Sequence, residues 1–197
     1  MSYKFLTQPL TQGVYEPEGI YLSLPLEGEA FIIQFWGEHA GEYSGFRYHG
    51  VALKGHPGLD FATKPGQTIV AVDQGRVMEL GEERNGIGRY LKVEHTWGES
   101  LYGHIGDCVV DAGQQLRRGA LIAYAAAEWK KSAMTPTPSY LHFGIRIKPY
   151  NRFDGWGGFV DPLPYLNPTG LRLPAEGDPP GPPPHPMVDE RPGMRRP

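Results

Sequence analysis

The most informative segment of this chain reads Ser139-Tyr140-Leu141-His142-Phe143-Gly144-Ile145-Arg146-Ile147. Successive side chains of a β-strand point to opposite faces, so the pattern predicts a strand whose apolar face carries Leu141, Phe143, Ile145 and Ile147. The other face carries Tyr140, His142, Gly144 and Arg146. A histidine beside a tyrosine, with a glycine to leave space, can present a metal ligand in a groove. The alternative is a half-buried strand with a solvated histidine.

A second cluster lies far upstream and reads His56-Pro57-Gly58-Leu59-Asp60. An imidazole and a carboxylate four positions apart, on an irregular Pro-Gly segment, can converge on one Zn²⁺ with His142 as a third ligand. Three protein ligands leave one position for water, which is the catalytic arrangement, whereas structural zinc is usually held by four ligands, mostly Cys. Because the chain has only Cys108, the pattern favours a catalytic site.

The composition indicates one mainly β domain with extensions. The 197 residues suffice for one substantial core, while 27 Gly, 20 Pro and the lack of a sustained 3.6-residue period predict little helix. Short strands at this spacing predict an antiparallel β-sandwich or barrel-sandwich hybrid. The candidate strands are Phe31 to Trp36, Thr68 to Val72, Arg76 to Leu80, Arg89 to His95, Ser100 to Ile105, Ala120 to Ala125 and Tyr140 to Ile147.

The predicted β domain covers residues 29–168. Residues 1–28, with three prolines and few alternating runs, are expected to be a lead-in segment. Residues 169–197 contain a Pro-rich run and are expected to form a disordered or polyproline-like tail that buries no core. Limited proteolysis is expected to remove this tail first.

Charge and hydropathy exclude two classes of partner. A net charge of -3 gives no basic field for nucleic acid. No stretch approaches the roughly 20 apolar residues of a membrane span, and the first residues lack the apolar core of a signal peptide. The oligomeric state stays open.

A further histidine, His104, lies in the predicted strand Ser100 to Ile105, where alternation places it on the same face as Tyr102. It is a candidate for proton transfer, because an activated water needs a nearby group to take its proton. The loop histidines His39 and His49 are expected to be solvated, and His95 is expected to be structural.

Two glycine-turn hairpins, Gly66 to Val77 and Gly113 to Ala123, add a fold-level alternative. Similar hairpins occur in biotinyl- and lipoyl-carrier modules. A carrier needs an exposed lysine at a hairpin tip, and the sequence offers no convincing candidate.

Together these features resemble the lysostaphin-type (LytM-like) zinc endopeptidases, which cut peptide links in bacterial peptidoglycan. The resemblance runs from about Phe31 to about Ile147 and is carried mainly by the His-x-x-x-Asp motif and by the strand motif ending in His142-Phe143. It implies a β fold of that kind and a peptidoglycan peptide as substrate. It also implies one Zn²⁺ bound by His56, Asp60 and His142, with His104 as a catalytic histidine.

The aromatic stretch from residue 150 to residue 166 resembles the phage-associated members in particular. A phage virion component or a lysis protein would reach the cell wall without its own signal peptide, and so would a fragment of a larger polypeptide.

The chain departs from this family at Tyr140, where the family has a catalytic histidine, and at residues 135–139, which replace a glycine-rich approach. Tyrosine has a reference pKa near ~10, so it donates a hydrogen bond readily but is a poor base. Tyr140 can stabilise an oxyanion while His104 takes the proton. Alternatively, Tyr140 marks a module that has lost catalysis and binds the cell wall or serves as a scaffold.

Overall fold

A computed structural model of the chain describes residues 19–83, 86–127, 139–175 and 181–185. It confirms a mainly β fold with little helix, and the one α-helix of the described residues, α1, is a single turn at Ala40–Tyr43. A 3₁₀ turn covers Leu163–Tyr165. The strands are β1 Ala30–Gln34, β2 Arg47–Tyr48, β3 Val51–Ala52, β4 Leu59–Ala62, β5 Thr68–Val70, β6 Gly75–Glu83, β7 Gly88–Glu94, β8 Gly98–Gly103, β9 Ile105–Cys108, β10 Gln115–Leu116, β11 Leu121–Ala125, β12 Tyr140–Ile147 and β13 Leu171–Arg172.

The described strands form an eight-stranded sheet, a three-stranded sheet and the β2-β3 pair. The large sheet has the order β10-β6-β7-β8-β12-β4-β1-β13, and the smaller one has the order β5-β11-β9. Pairing is antiparallel except between β1 and β13. One apolar core joins both sheets, with Ile69 and Ile122 of the smaller sheet in the same cluster as Leu141 and Phe143 of β12. The sheets do not close into a barrel.

Strand β12 lies near the centre of the large sheet, between β8 and β4. Its predicted apolar face is confirmed, because Leu141, Phe143, Ile145 and Ile147 all belong to the core. Its polar face is also buried, which the sequence did not predict. A Cβ at Gly144 would lie 3.0 Å from the Phe159 ring, so this glycine makes room for an aromatic side chain and opens no groove.

The predicted strand from Ser100 to Ile105 is wrong in one respect. Strand β8 ends at Gly103, and the chain enters the second sheet as β9 from Ile105. His104, between them, has φ 57°, a left-handed conformation that is strained for a side chain other than glycine. Tyr102 therefore points into the core, where its hydroxyl accepts a 3.0 Å hydrogen bond from the Val72 amide, and His104 faces elsewhere.

Both predicted domain boundaries fall within packed structure. Ile20, Leu22, Leu24 and Leu26 are buried in the core ahead of residue 29. Beyond residue 168, β13 pairs with β1. The division into three parts stays a prediction, but the packed unit extends past both of its boundaries.

The described part of the predicted tail also packs against the protein, since Pro182 and His185 are buried. This differs from the expectation of a tail that buries nothing. The described residues do not include 1–18 of the lead-in segment or 135–138 of the stretch that replaces the glycine-rich approach. They also do not include 176–180 and 186–197 of the tail. No helix of the described residues is long and apolar enough to cross a membrane.

Candidate metal centre

The structure brings the three predicted ligands together on the polar face of the large sheet. Asp60 on β4 lies directly opposite His142 on β12 in the antiparallel register. His56, just before β4, completes the group. Asp60 therefore lies on a central strand, and the expected irregular Pro-Gly segment ends before it. All three side chains are fully buried.

The donor atoms of these residues form a small triangle. Asp60 Oδ1 lies 2.8 Å from His142 Nδ1 and 3.2 Å from His56 Nε2, and the two nitrogens are 3.1 Å apart. A tetrahedral zinc site with Zn–N and Zn–O bonds of ~2.0–2.1 Å separates its donors by roughly 3.3–3.4 Å. The triangle is therefore close to the size that the ion requires.

The hydrogen bond of His56 to Phe35 orients the ring so that its second nitrogen faces the triangle. His56 Nδ1 lies 3.0 Å from the Phe35 carbonyl oxygen. Because a carbonyl only accepts, Nδ1 carries the proton, and the lone pair of a neutral His56 is on Nε2. That lone pair points at an oxygen of Asp60, which also only accepts when ionised. With His56 neutral, a cation between the two atoms would satisfy both acceptors.

A further atom in the centre suits a cation. Asp60 Oδ2 is a buried acceptor that makes no hydrogen bond with any described residue. Gly58 is tightly enclosed, because a Cβ there would lie 2.7 Å from His142 Cε1 and 2.6 Å from the Phe143 carbonyl oxygen. The glycine of the His-Pro-Gly-Leu-Asp sequence thus allows the loop to pack against the His142 ring. An oxygen and two imidazole nitrogens are a donor set that fits Zn²⁺.

The protonation states suit metal binding. Burial alone would raise the pKa of Asp60, but its interactions with His56 and His142 outweigh burial and lower this pKa well below its usual range. Burial lowers the pKa of His142, against the opposing effect of Asp60. The carboxylate is therefore ionised and the imidazole neutral, which are the forms that bind a metal.

The two predicted catalytic residues, His104 and Tyr140, form a pair beside the ligands. The Tyr140 hydroxyl donates a 2.6 Å hydrogen bond to His104 Nε2, and the ring centroids are 4.3 Å apart. Burial raises the pKa of Tyr140 above its usual value and lowers the pKa of His104 to about 3. In this conformation Tyr140 is a protonated donor and His104 is a neutral acceptor.

The other predicted histidines lie outside this group. His39 precedes α1, where its Nδ1 lies 3.4 Å from a Glu42 carboxylate oxygen. His49 packs edge-on against the Tyr48 ring. His95 is buried, with hydrogen bonds of 2.7 Å to the Gln74 carbonyl and 2.8 Å to the Ser100 hydroxyl, which suits the structural role expected for it.

Sequence reasoning missed one residue of the centre, His185. Its ring centroid lies 5.0 Å from that of His142 and 4.7 Å from that of His104. The donor atoms of His56, Asp60, His142 and His185 all lie within 4.8 Å of one another. The available signal is a histidine inside a proline-rich segment, whose composition predicts a disordered or polyproline-like tail. Tyr43 of α1 was missed as well, and its ring packs 5.7 Å from that of His56.

Comparison with known proteins identifies the class. The profile of peptidase family M23 matches residues 54–154, just over half of the chain, and this span contains all five predicted site residues. The chain therefore belongs to peptidase family M23, which confirms the family expected from the resemblance.

Individual relatives agree with this assignment. The murein hydrolase activator NlpD of Salmonella dublin is 32% identical over 118 residues, which are 59% of this chain and 28% of that protein. The chain thus spans less than a third of the length of this relative.

Two solved structures show the shared fold. A Pseudomonas aeruginosa protein assigned to peptidase M23 is similar with a TM-score of 0.53 at 22% identity, covering 77% of this chain and 52% of the other. LytU gives a TM-score of 0.51 at 24% identity, covering 68% and 82%.

Proposed function

We propose that this protein is a zinc-dependent endopeptidase that hydrolyses peptide bonds in the stem or cross-bridge peptides of peptidoglycan. The observation that carries the proposal is the convergence of His56 Nε2, Asp60 Oδ1 and His142 Nδ1 within 3.2 Å, beside the His104–Tyr140 pair. Membership of the M23 family supports a peptidase that acts on the cell wall. We extend this to a location at the bacterial wall, reached as a phage or lysis component or as part of a larger protein.

The residues of this chain have separable tasks. His56, Asp60 and His142 would hold the ion, and the Phe35 carbonyl fixes the tautomer and orientation of His56. Bound zinc would supply Lewis acidity to the scissile carbonyl and to the attacking water. Burial lowers the pKa of His104 in this conformation, so we assign it the base role in the substrate-bound site, where it accepts the proton released during attack and returns it to the leaving amine. Tyr140, which stays protonated, donates a hydrogen bond to the oxyanion that develops on the carbonyl oxygen.

A second candidate function is a catalytically silent module that binds the wall or activates another hydrolase. Tyr140, in place of the usual histidine, favours it, and so does the similarity to NlpD, a murein hydrolase activator. Such a module would keep the fold and bind the wall without releasing a product.

The test compares zinc content and peptide release from purified sacculi for the wild type and His142→Ala. We expect one zinc ion and released peptides for the wild type, and zinc affinity lower by on the order of 100-fold or more for His142→Ala. His39→Ala is the matched control, because it removes a histidine outside the centre. Wall binding and bound zinc without released peptide would favour the second candidate. A wild type that takes up no zinc would refute the metal site.

A further inference from the structure

The segment 181–185 lies across the polar face of the large sheet and ends at the metal centre. Gly181 packs on β1, since a Cβ there would lie 2.6 Å from the Ile33 carbonyl oxygen and 3.0 Å from Gln34 Cβ. Strand β1 neighbours β4, which carries Asp60. Pro183 is exposed, whereas Pro182 and His185 are buried. The segment thus runs from β1 to the ligands and carries the His185 side chain inward.

The His185 ring lies among the side chains of the candidate site. Its side chain is 6% exposed, and besides its neighbours His104 and His142 its ring centroid lies 6.3 Å from that of His56. The same ring lies 6.4 Å from those of Tyr43 and Tyr140. A nitrogen of His185 is within 4.8 Å of each of the other three donor atoms. His185 can therefore supply a fourth donor atom beside those of His56, Asp60 and His142.

We propose that His185 is a removable fourth ligand of the metal centre, and that segment 181–185 holds the peptidase closed until it is displaced. This inference rests on the metal site of the proposed function. A catalytic zinc site keeps one position for water and substrate, whereas a site with four protein ligands is closed. His185 would take that fourth position from within the chain.

The burial of the site supports a closed state. His56, Asp60 and His142 are fully buried, and His104 and Tyr140 are each only 3% exposed. A peptide substrate must bring its carbonyl carbon beside these side chains, so part of the protein has to move first. Segment 181–185 places one imidazole, that of His185, beside these side chains.

The composition of the segment suits a ligand that the chain itself supplies. Three prolines precede His185, and prolines are preset to an extended backbone, so less conformational entropy is lost when the segment binds. A tethered ligand also benefits from a high effective concentration, on the order of mM for a short linker. One imidazole held in this way can close the site, yet a substrate peptide can displace it by competing for the same space.

The experiment uses the full chain and two variants, His185→Ala and His185→Phe. The Phe variant keeps an aromatic ring of similar size and removes the donor nitrogens, so it separates ligation from packing. X-ray absorption of the zinc-loaded proteins counts imidazole ligands. We expect three for the wild type and two for both variants. Chelator competition should show zinc affinity lower by about 10- to 100-fold in both variants, with His39→Ala unchanged.

Activity provides the second measurement. At saturating zinc, peptide release by His185→Ala should exceed that of the wild type several-fold, because the fourth position is then open to water and substrate. His185→Phe should gain less, since its ring still occupies the space. Circular dichroism and Tm verify that the variants fold, and if either does not, the imidazole count of the wild type decides alone.

Two imidazoles in wild-type zinc protein, with affinity unchanged by either substitution, would overturn the His185 proposal and leave the three-ligand site intact. Absence of zinc from the wild type would refute the proposed function itself.

Discussion

Two buried polar clusters occupy the same face of β12, four residues apart, and they differ in how their charges are balanced. In the first, around Arg146, each guanidinium nitrogen has its own acceptor. Arg146 Nε donates a 2.8 Å hydrogen bond to the Gly157 carbonyl, and the other two nitrogens donate to Glu99 and to the Tyr48 hydroxyl. The guanidinium carbon also lies 4.1 Å from the centre of the Phe159 ring.

The second cluster, around His142, brings acceptors together without enough donors. Asp60 Oδ1 and the lone pair of a neutral His56 face each other there at 3.2 Å, and no Lys or Arg side chain of the described residues pairs with this carboxylate. The Arg146 cluster is electrostatically complete, whereas the His142 cluster has buried acceptors that a cation would balance. Both clusters are buried and polar, so neither property tells a candidate metal site from a structural ion pair. The distinguishing feature is the surplus of hydrogen-bond acceptors in the His142 cluster.

The largest effect is expected from breaking the complete cluster. Arg146→Met leaves the Glu99 carboxylate buried without its partner, and such a loss lowers the free energy of unfolding by roughly 3–5 kcal/mol. Denaturant unfolding measures it. The double variant Arg146→Met/Glu99→Met should recover most of the loss, because it removes the unpaired charge as well.

Arg76→Met is the matched control for Arg146→Met. Arg76 pairs with Glu94 at 2.9 Å, but its side chain is 51% exposed, so its removal should lower stability by no more than about 1 kcal/mol. Zinc content per folded molecule should be unchanged in all of these variants. Loss of zinc from folded Arg146→Met would show that the two clusters are coupled, contrary to the distinction drawn above.

A smaller effect is expected at Tyr140, which shares the His142 end of β12. Tyr140→Phe removes the hydroxyl that donates to His104, and we expect kcat to fall by on the order of 100-fold with zinc content unchanged, as for loss of an oxyanion donor. Tyr140→His supplies the residue usual in the family. A wild type that is inert and becomes active with histidine would show that Tyr140 marks lost catalysis. Equal activity of the wild type and Tyr140→Phe would exclude the oxyanion role.

The alternation of apolar and polar residues was enough to predict β12 with its ends correctly, and motif spacing was enough to nominate His56, Asp60 and His142. Local patterns did not show that Asp60 lies on a strand, because Leu59–Ala62 is only four residues long and follows Pro and Gly. They also did not show the break at His104, where a left-handed residue carries the chain from one sheet to the other.

The position of His185 depends on contacts between residues far apart in sequence. His185 lies 43 positions from His142, and a proline-rich composition predicts exposure whatever the segment contacts. Composition describes the average environment of such a segment, but it carries no information on which surface the segment covers.

The smallest effect concerns His95, a third buried polar group, whose two ring nitrogens both have uncharged hydrogen-bond partners. Burial lowers the pKa of His95, and Arg118 acts in the same direction, while the Gln74 carbonyl and the Asp73 and Glu94 carboxylates oppose them. The folded-state pKa thus lies below the unfolded value of ~6.5. As the pH falls below that value, the unfolded state takes up a proton that the folded state does not, so the free energy of unfolding decreases by up to about 1.4 kcal/mol per pH unit.

His95→Gln removes this titration and keeps polar atoms that can reach the Gln74 carbonyl and Ser100. Its destabilisation relative to the wild type should therefore be about 1 kcal/mol greater at pH 7 than at pH 5, as measured by urea unfolding at both values. A difference between the two proteins that is the same at both pH values would show that His95 does not stay neutral in the folded state.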